Sequence, residues 1–366
     1  MRIREIRHKE LQGYIDSKEY QESKYIPISQ HRAVSHIHNP RAEAEDLVLV
    51  LVYDDTEEMV GYLGVFPDEL HFRVGIERAG WLSCMWVNPK MRGKGIAKKL
   101  INTVFKAWDY RILVTEFTPA AKGLYDRTEQ FLELAKPKGV RGYLQLNLSY
   151  LLPKKDLKWE KWSPLLAMFD GIFNFFNSIR LLGFSPKPPR FSYVESIDNE
   201  AMQFIQQFKS QELMNRQATD LAWMVRYPWL ISAPIPDYNA QRYHFSAVDR
   251  RFNFLNIKVF DKKNQLIAFL ILTVRGDNLK VPYAYFNALH SDTVMQVIYQ
   301  HMIDMDLDMV TVFHPKLVEH LKANKSPFFL KRDFQRHYII SKVFEEQLAA
   351  TPTFDIQDGD ADAAFT

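Results

Sequence analysis

The sequence predicts an α/β (α+β) fold in two tandem lobes, each a mixed, mostly antiparallel twisted sheet flanked by helices. Three observations carry that expectation. Apolar, β-branched runs alternate with helical patterns in the order β-α-α-β-β-β-α-β-α-β over residues 1–150. A comparable order restarts beyond residue 190, after a Pro-rich stretch. At 366 residues, 47% hydrophobic and 25% charged, the chain is long enough for more than one buried core.

In the first lobe, residues 2–6 alternate as a short strand and residues 9–22 read as a helix. A second helical stretch, residues 29–38, stops at Asn39-Pro40, because the residue before a proline is pushed out of the helical region. Residues 47–53, all apolar and rich in Val and Leu, read as a strand, and Asp54-Asp55 opens the turn to the next, residues 59–66. The strand at residues 80–87 runs through Asn88-Pro89 into a Gly-rich corner, Gly93-Lys94-Gly95, and then into a helix carrying Leu100, Ile101, Val104 and Phe105 at helical spacing. A buried strand (111–115), a helix (119–134) and a last strand (142–150) complete the lobe.

The corner carries the chemistry. Its glycines let backbone N–H groups approach a ligand closely, and the free donors and dipole of the helix N-terminus favour an anion. Arg92, Lys94, Lys98 and Lys99 add positive charge, so the expected ligand is a phosphate or pyrophosphate. The corner fits neither G-x-G-x-x-G nor the Walker spacing. It does fit R-x-x-G-x-A, at Arg92, Gly95 and Ala97, preceded by Val87-x-Pro89. This resembles the acyl-CoA loop of the GNAT acetyltransferase superfamily, and the resemblance spans residues 1–150. It implies that Arg92, Gly93, Lys94, Gly95, Ile96 and Ala97 hold the CoA pyrophosphate. It also implies that the strand before them, splayed from its neighbour, pairs the backbone of Met85, Trp86 and Val87 with the pantetheine arm. Acetyl-CoA is then the co-substrate, with no metal. A second family motif, A-x-x-L-Y, is matched by Ala121, Leu124 and Tyr125. The departures are Thr118 where Asn is common, Thr128-Glu129-Gln130 in place of the Gly, and Phe131 one residue late.

When an amine attacks a thioester, charge builds first on the carbonyl oxygen and then on the departing sulfur. Backbone donors of residues 85–87 suit the first charge, and a phenol suits the second, which makes Tyr125 the candidate acid. Glu116, at a strand end, is the candidate base, with a water chain or a solvated strand-end carboxylate as the alternatives. Cys84 lies on the splayed strand, but a covalent acyl-cysteine route lacks an evident histidine partner. His31, His36 and His38 cluster in the second helical stretch, a region that lines the acceptor side in the resembled family. No nearby spacing completes a metal site around them.

Residues 151–189 form a connection of different composition. Lys154, Lys155, Lys158 and Lys161 interleave with Trp159 and Trp162 ahead of a Phe- and Leu-rich helix at residues 165–182. Asp170, Asn174, Asn177 and Ser178 form a polar stripe along it, which argues against a membrane span. A wide apolar face packed between the lobes is one reading, and peripheral membrane contact through residues 159–182 is the other. Residues 190–347 read as a degenerate GNAT-like lobe, because Asn287 to Asp292 supply neither glycine nor a basic cluster where the corner should recur. Residues 348–366 read as an acidic, solvated tail, or as a segment that folds back to present carboxylates to a cationic amine in the cleft.

A net charge of +3 gives no case for nucleic acid, and the single cysteine excludes an internal disulfide. The N-terminus lacks the apolar run of a signal peptide, so a cytoplasmic setting is expected. The expected activity is N-acetyl transfer from acetyl-CoA to a primary amine, carried by a small molecule or a peptide. A larger-acyl or aminoacyl transferase and a non-catalytic acyl-CoA sensor are the alternatives. Acceptor and oligomeric state are not encoded in any motif.

Overall fold

The computed structural model describes residues 1–233 and 242–361. Its first half runs β1 (Arg2–Arg7), α1 (Leu11–Asp16), α2 (Lys18–Glu22), α3 (Gln30–Ile37), β2 (Leu47–Tyr53), β3 (Met59–Phe72), β4 (Gly75–Val87), α4 (Ile96–Ala107), β5 (Ile112–Thr115), α5 (Pro119–Asp126) and β6 (Phe131–Ala135). Next come β7 (Lys138–Tyr143), α6 (Leu148–Lys155), α7 (Ser163–Leu182), β8 (Phe191–Tyr193), α8 (Asn199–Gln206), α9 (Ala218–Arg226), and the short β9 (Ile231–Ser232) and β10 (Val248–Asp249). The remainder is β11 (Phe252–Phe260), β12 (Leu266–Arg275), β13 (Asn278–Phe286), α10 (Ser291–Asp304), β14 (Met309–Val312), α11 (Pro315–Ala323), β15 (Leu330–Gln335), β16 (Tyr338–Ser341) and α12 (Glu345–Ala350).

Two seven-stranded sheets result, one per compact unit. The first has the order β1-β2-β3-β4-β5-β16-β6, and the second, counted from the matching edge, β8-β11-β12-β13-β14-β7-β15. The orders correspond strand for strand, and each sheet has its parallel pair at the same place, β4 with β5 and β13 with β14. The sixth position of each sheet is filled by a strand from the other half of the sequence. The units are therefore Met1–Pro137 with Ser196–Phe252 and Arg336–Thr366, and Lys138–Glu195 with Asn253–Gln335.

This interleaving corrects the boundaries expected at residues 150 and 190–347. The strand expected at residues 142–150 is β7 followed by the start of α6, and it belongs to the second unit. The segment after the Pro-rich stretch, with α8 and α9, belongs to the first. β5 is buried on both faces and needs a partner on each edge. The buried Tyr338, Ile339 and Ile340 of β16 supply the second, antiparallel to β5. Either unit offers an equivalent slot to so short an apolar strand, and nothing local in the sequence distinguishes them.

Within the first unit the period-2 alternation of β2 decides which side chains face which helices. Val50 and Val52 join Leu100, Ile101, Val104 and Phe105 of α4 in one core. Leu49, Leu51 and Tyr53 join Tyr14, Ile15 and Ala33 of α1 and α3 in another, on the opposite face. In the second unit β11 to β14 pack their inner face on Val294, Val297 and Ile298 of α10 and on Leu317 and Leu321 of α11.

The C-terminal residues are a second correction. Asp358 and Asp360 are buried, not solvated, and pair with Arg336 (2.5 Å) and Arg216 (3.4 Å). Asp355 forms an isolated bridge with Glu212. Asp362 and the residues after it lie outside the described residues.

Candidate active site

β4 and β5 pair only at Gly80–Ile112 and Trp81–Leu113 and then part, while β3 stays paired with the other edge of β4 as far as Val87. The β5-side edge of β4 is thus open from Leu82 to Val87. Opposite Leu63 the ladder takes in two residues, Cys84 and Met85, and Cys84 has φ 56°. Such a bulge re-aims backbone groups at the place where the edge opens. Met85 and Val87 lean on the α4 core, and Trp86 leans on the α1–α3 face.

The corner follows directly. Gly93 has φ 80° and Gly95, the N-cap of α4, has φ 77°, in the left-handed region where a side chain is strained. A Cβ at either position would meet nothing within 4 Å, so backbone conformation rather than crowding requires the glycines. Lys99 N donates to Gly95 O, whereas the amides of Ile96, Ala97 and Lys98 have no backbone acceptor among the described residues. Arg92, Gly93, Lys94 and Gly95 are exposed, as are Lys98 and Lys99. This is an open, electropositive cradle for an anion. In the second unit β13 also parts from β14 after Lys280–Thr311, but Asn287 caps a short turn at φ −72° and α10 begins without a left-handed corner.

Tyr125 lies in α5, in the same core as Ile96, Leu100 and Val114, with Phe117 and Phe131 edge-on at 5.9 and 5.6 Å. Its hydroxyl has no hydrogen-bond partner among the described residues, and burial pushes the phenol up to about 12, so it carries its proton at neutral pH. Glu116 follows β5 at φ 51°, half exposed, and is ion-paired with Arg336 at 2.7 Å.

The α3 side of the bulge holds residues that no sequence motif singles out. Arg32 donates to Ser83 Oγ (2.7 Å), to Tyr243 OH (3.2 Å) and to Cys84 Sγ, and its guanidinium lies 3.9 Å over the Trp229 ring. Tyr243 OH also donates to Cys84 Sγ at 3.7 Å, and burial raises that phenol. No imidazole touches the sulfur among the described residues. His244 stacks on Trp86 at 4.0 Å and contacts Tyr62 OH at 3.3 Å, and partial burial lowers its imidazole, so it is neutral at pH 7. Arg32 sits inside the stretch noticed for its histidines, but Trp229, Tyr243 and His244 come from about 200 residues away.

Those histidines separate in space. His31 bonds Trp229 O (2.6 Å) and His38 bonds Val34 O (2.9 Å). His36 is fully buried against Trp229 and Phe66, and burial pushes its imidazole well below the ordinary value. Among the described residues no three His, Cys, Asp or Glu side chains form a metal-ligating group.

Residues 46–128 match the family model described as an acetyltransferase (GNAT) domain. No curated protein matches the chain. A probable N-acyltransferase of unknown function from Enterococcus faecalis V583 is similar in structure (TM-score 0.52, 9% identity), over 93% of this chain and 72% of that one. Saccharomyces cerevisiae N-myristoyltransferase with bound myristoyl-CoA is similar to the same degree (TM-score 0.52, 9% identity), over 93% of this chain and 82% of that one. At such identity the likeness is one of fold.

Proposed function

We propose that this chain, whose residues 46–128 form a GNAT acetyltransferase domain, is an N-acyltransferase that moves an acetyl group from acetyl-CoA to a primary amine. The observation that carries the reading is the conjunction of an open β4 edge with the left-handed Gly93–Gly95 corner and the unsatisfied first-turn amides of α4. The amides from Gly93 to Lys98, with Arg92 and Lys94, would take the CoA pyrophosphate, and the backbone of Met85, Trp86 and Val87 would run beside the pantetheine arm.

In the transfer the amine nitrogen attacks the thioester carbonyl carbon, a C–N bond forms, and backbone donors at the bulge steady the oxyanion. Collapse breaks the C–S bond, the leaving sulfur takes the proton of the Tyr125 hydroxyl, and the phenolate left behind recovers a proton from solvent before the next turnover. The amine must also lose a proton. Glu116 is engaged by Arg336 in an ion pair at 2.7 Å, whereas His244 stacks on Trp86 beside the bulge. We assign the amine's proton to His244, with release to solvent. Direct transfer also leaves Cys84 unacylated. A cytoplasmic setting, where acetyl-CoA is made and used, fits this chemistry.

Thiol release from acetyl-CoA, measured across a panel of primary amines, tests the reading. Amine-dependent release is expected. Tight CoA binding with no turnover on any amine would favour a sensor, and turnover only with long-chain acyl-CoAs would move the donor to a larger acyl group.

A further inference from the structure

α7 is mounted with its polar stripe inward. Asp170 accepts the amides of Leu148 and Ser149, both at 2.9 Å. Asn174 exchanges two 2.8 Å bonds with the backbone of Leu146, and Asn177 donates to Leu144 O at 2.7 Å. This side is bolted to residues 144–149 of its own unit, so the helix cannot roll. The opposite side is left apolar and open: Met168, Phe169, Ile172, Phe175, Phe176 and Ile179 recur at helical spacing and are each more than half exposed, Phe175 and Phe176 by 64% and 65%. Among the described residues of its own unit nothing covers this apolar face. A surface this apolar on a helix about 30 Å long is the mark of an interaction site.

We infer that the outer face of α7 is a docking surface for a lipid bilayer with anionic headgroups, in whose plane the helix lies. The charge pattern selects this occupant. The end of α6 and the turn leading into the helix expose Lys155, Lys158 and Lys161, with Trp159 between the last two and Trp162 after them, against only Asp156 and Glu160. Exposed indole rings beside lysines suit a headgroup layer, and the apolar row behind them suits the acyl boundary below it. By length and composition the segment Leu157–Leu182 would suffice to cross a membrane, but the bonds from Asp170, Asn174 and Asn177 hold it flat against its unit. A second copy of the chain fits less well. In a two-fold antiparallel contact the lysine end would face residues 176–183, which offer Arg180 and no carboxylate.

Co-sedimentation of the full chain with vesicles of phosphatidylcholine alone, or mixed with phosphatidylglycerol, tests the inference. Binding to the mixed vesicles is expected, weakened by salt, with a blue shift of tryptophan emission. The double variant Phe175→Ser/Phe176→Ser removes only exposed side chains and should lose about tenfold or more in binding with an unchanged circular-dichroism melt. The triple variant Lys155→Glu/Lys158→Glu/Lys161→Glu should lose the preference for phosphatidylglycerol. No binding to either vesicle would overturn the inference. So would a concentration-dependent dimer abolished by the phenylalanine variant, and equal binding to both vesicles would overturn the anionic assignment.

Discussion

Asp68 and Arg216 meet inside the first unit through two parallel hydrogen bonds of 2.6 Å, with both side chains at most 1% exposed. Arg41 adds a bond to the same carboxylate at 2.9 Å and reaches on to Asp220, and Trp81 Nε1 donates to it at 2.9 Å. Burial alone would raise the Asp68 carboxyl, but the Arg216 and Arg41 guanidinia hold it below the usual carboxylate range. The network ties β3 and β4 to the segment around α9, which the interleaved chain brings into the same unit. Asp68→Asn leaves two buried cations short of a counter-charge. Urea denaturation should show a loss of about 3–5 kcal/mol. A loss under about 1 kcal/mol would contradict the role given to the pair.

Two carboxyls behind that network shift the other way. Burial, with Asp360 nearby, pushes Glu212 up to about 7, and burial pushes Asp360 itself up to about 6 against the pull of Arg216. In the unfolded chain both lose their protons at about pH 4. Between that pH and their folded values the native state binds more protons than the unfolded one, so stability falls as pH rises, and this loss is complete above about pH 7. The depressed Asp68 works oppositely, losing its contribution as pH falls through its folded value. Glu212→Gln should therefore shrink the difference in stability between pH 5 and pH 8 by on the order of 1–3 kcal/mol. Denaturant titrations at the two pH values check this, and an unchanged difference would count against it.

Tyr125→Phe keeps the ring packing against Phe117 and Phe131 and deletes the hydroxyl. Because its contact strengthens as the sulfur leaves, kcat should fall by about 10²-fold or more while acetyl-CoA affinity stays near normal. Single-turnover kinetics with a working amine would reveal full activity if Tyr125 served only to fill the core.

His244→Gln addresses the amine's proton. A base must be unprotonated to act, and the His244 imidazole is lowered by burial, so the wild-type profile of kcat/KM should drop on the acid side, at a lower pH than an ordinary histidine would give. The variant should lose that limb and be slower at neutral pH. A Glu116→Gln variant that abolishes the limb, with His244→Gln retaining it, would return the base to Glu116.

What was legible in the sequence was what adjacent residues decide. Gly93, Gly95 and Arg92 lie within four positions of one another, and their left-handed corner and exposed charge follow from residue type alone. The strand order was readable from periodicity, but the home of β16 was not, since Tyr338, Ile339 and Ile340 suit either sheet. The stripe of Asp170, Asn174 and Asn177 was visible, yet only the carbonyls and amides of residues 144–149 decide that it faces inward. Arg32, Tyr243 and His244 belong to one neighbourhood through tertiary folding, with no spacing to announce it. Asp358 and Asp360 read as solvated because Arg336 and Arg216, which hold them, stand elsewhere in the sequence.

The most direct measurement is calorimetric titration of the intact chain with CoA, alongside Gly95→Val and Arg92→Ala. Among the described residues the corner occurs once, at residues 92–97, and residues 287–292 lack both its left-handed glycines and its cations. One CoA per chain should bind. Valine at φ 77° is strained by about 1–2 kcal/mol and cannot hold the corner open, and loss of Arg92 removes a charge-assisted phosphate contact, so each variant should weaken binding about tenfold or more. Two equivalent sites, or undiminished affinity in folded variants, would contradict the account.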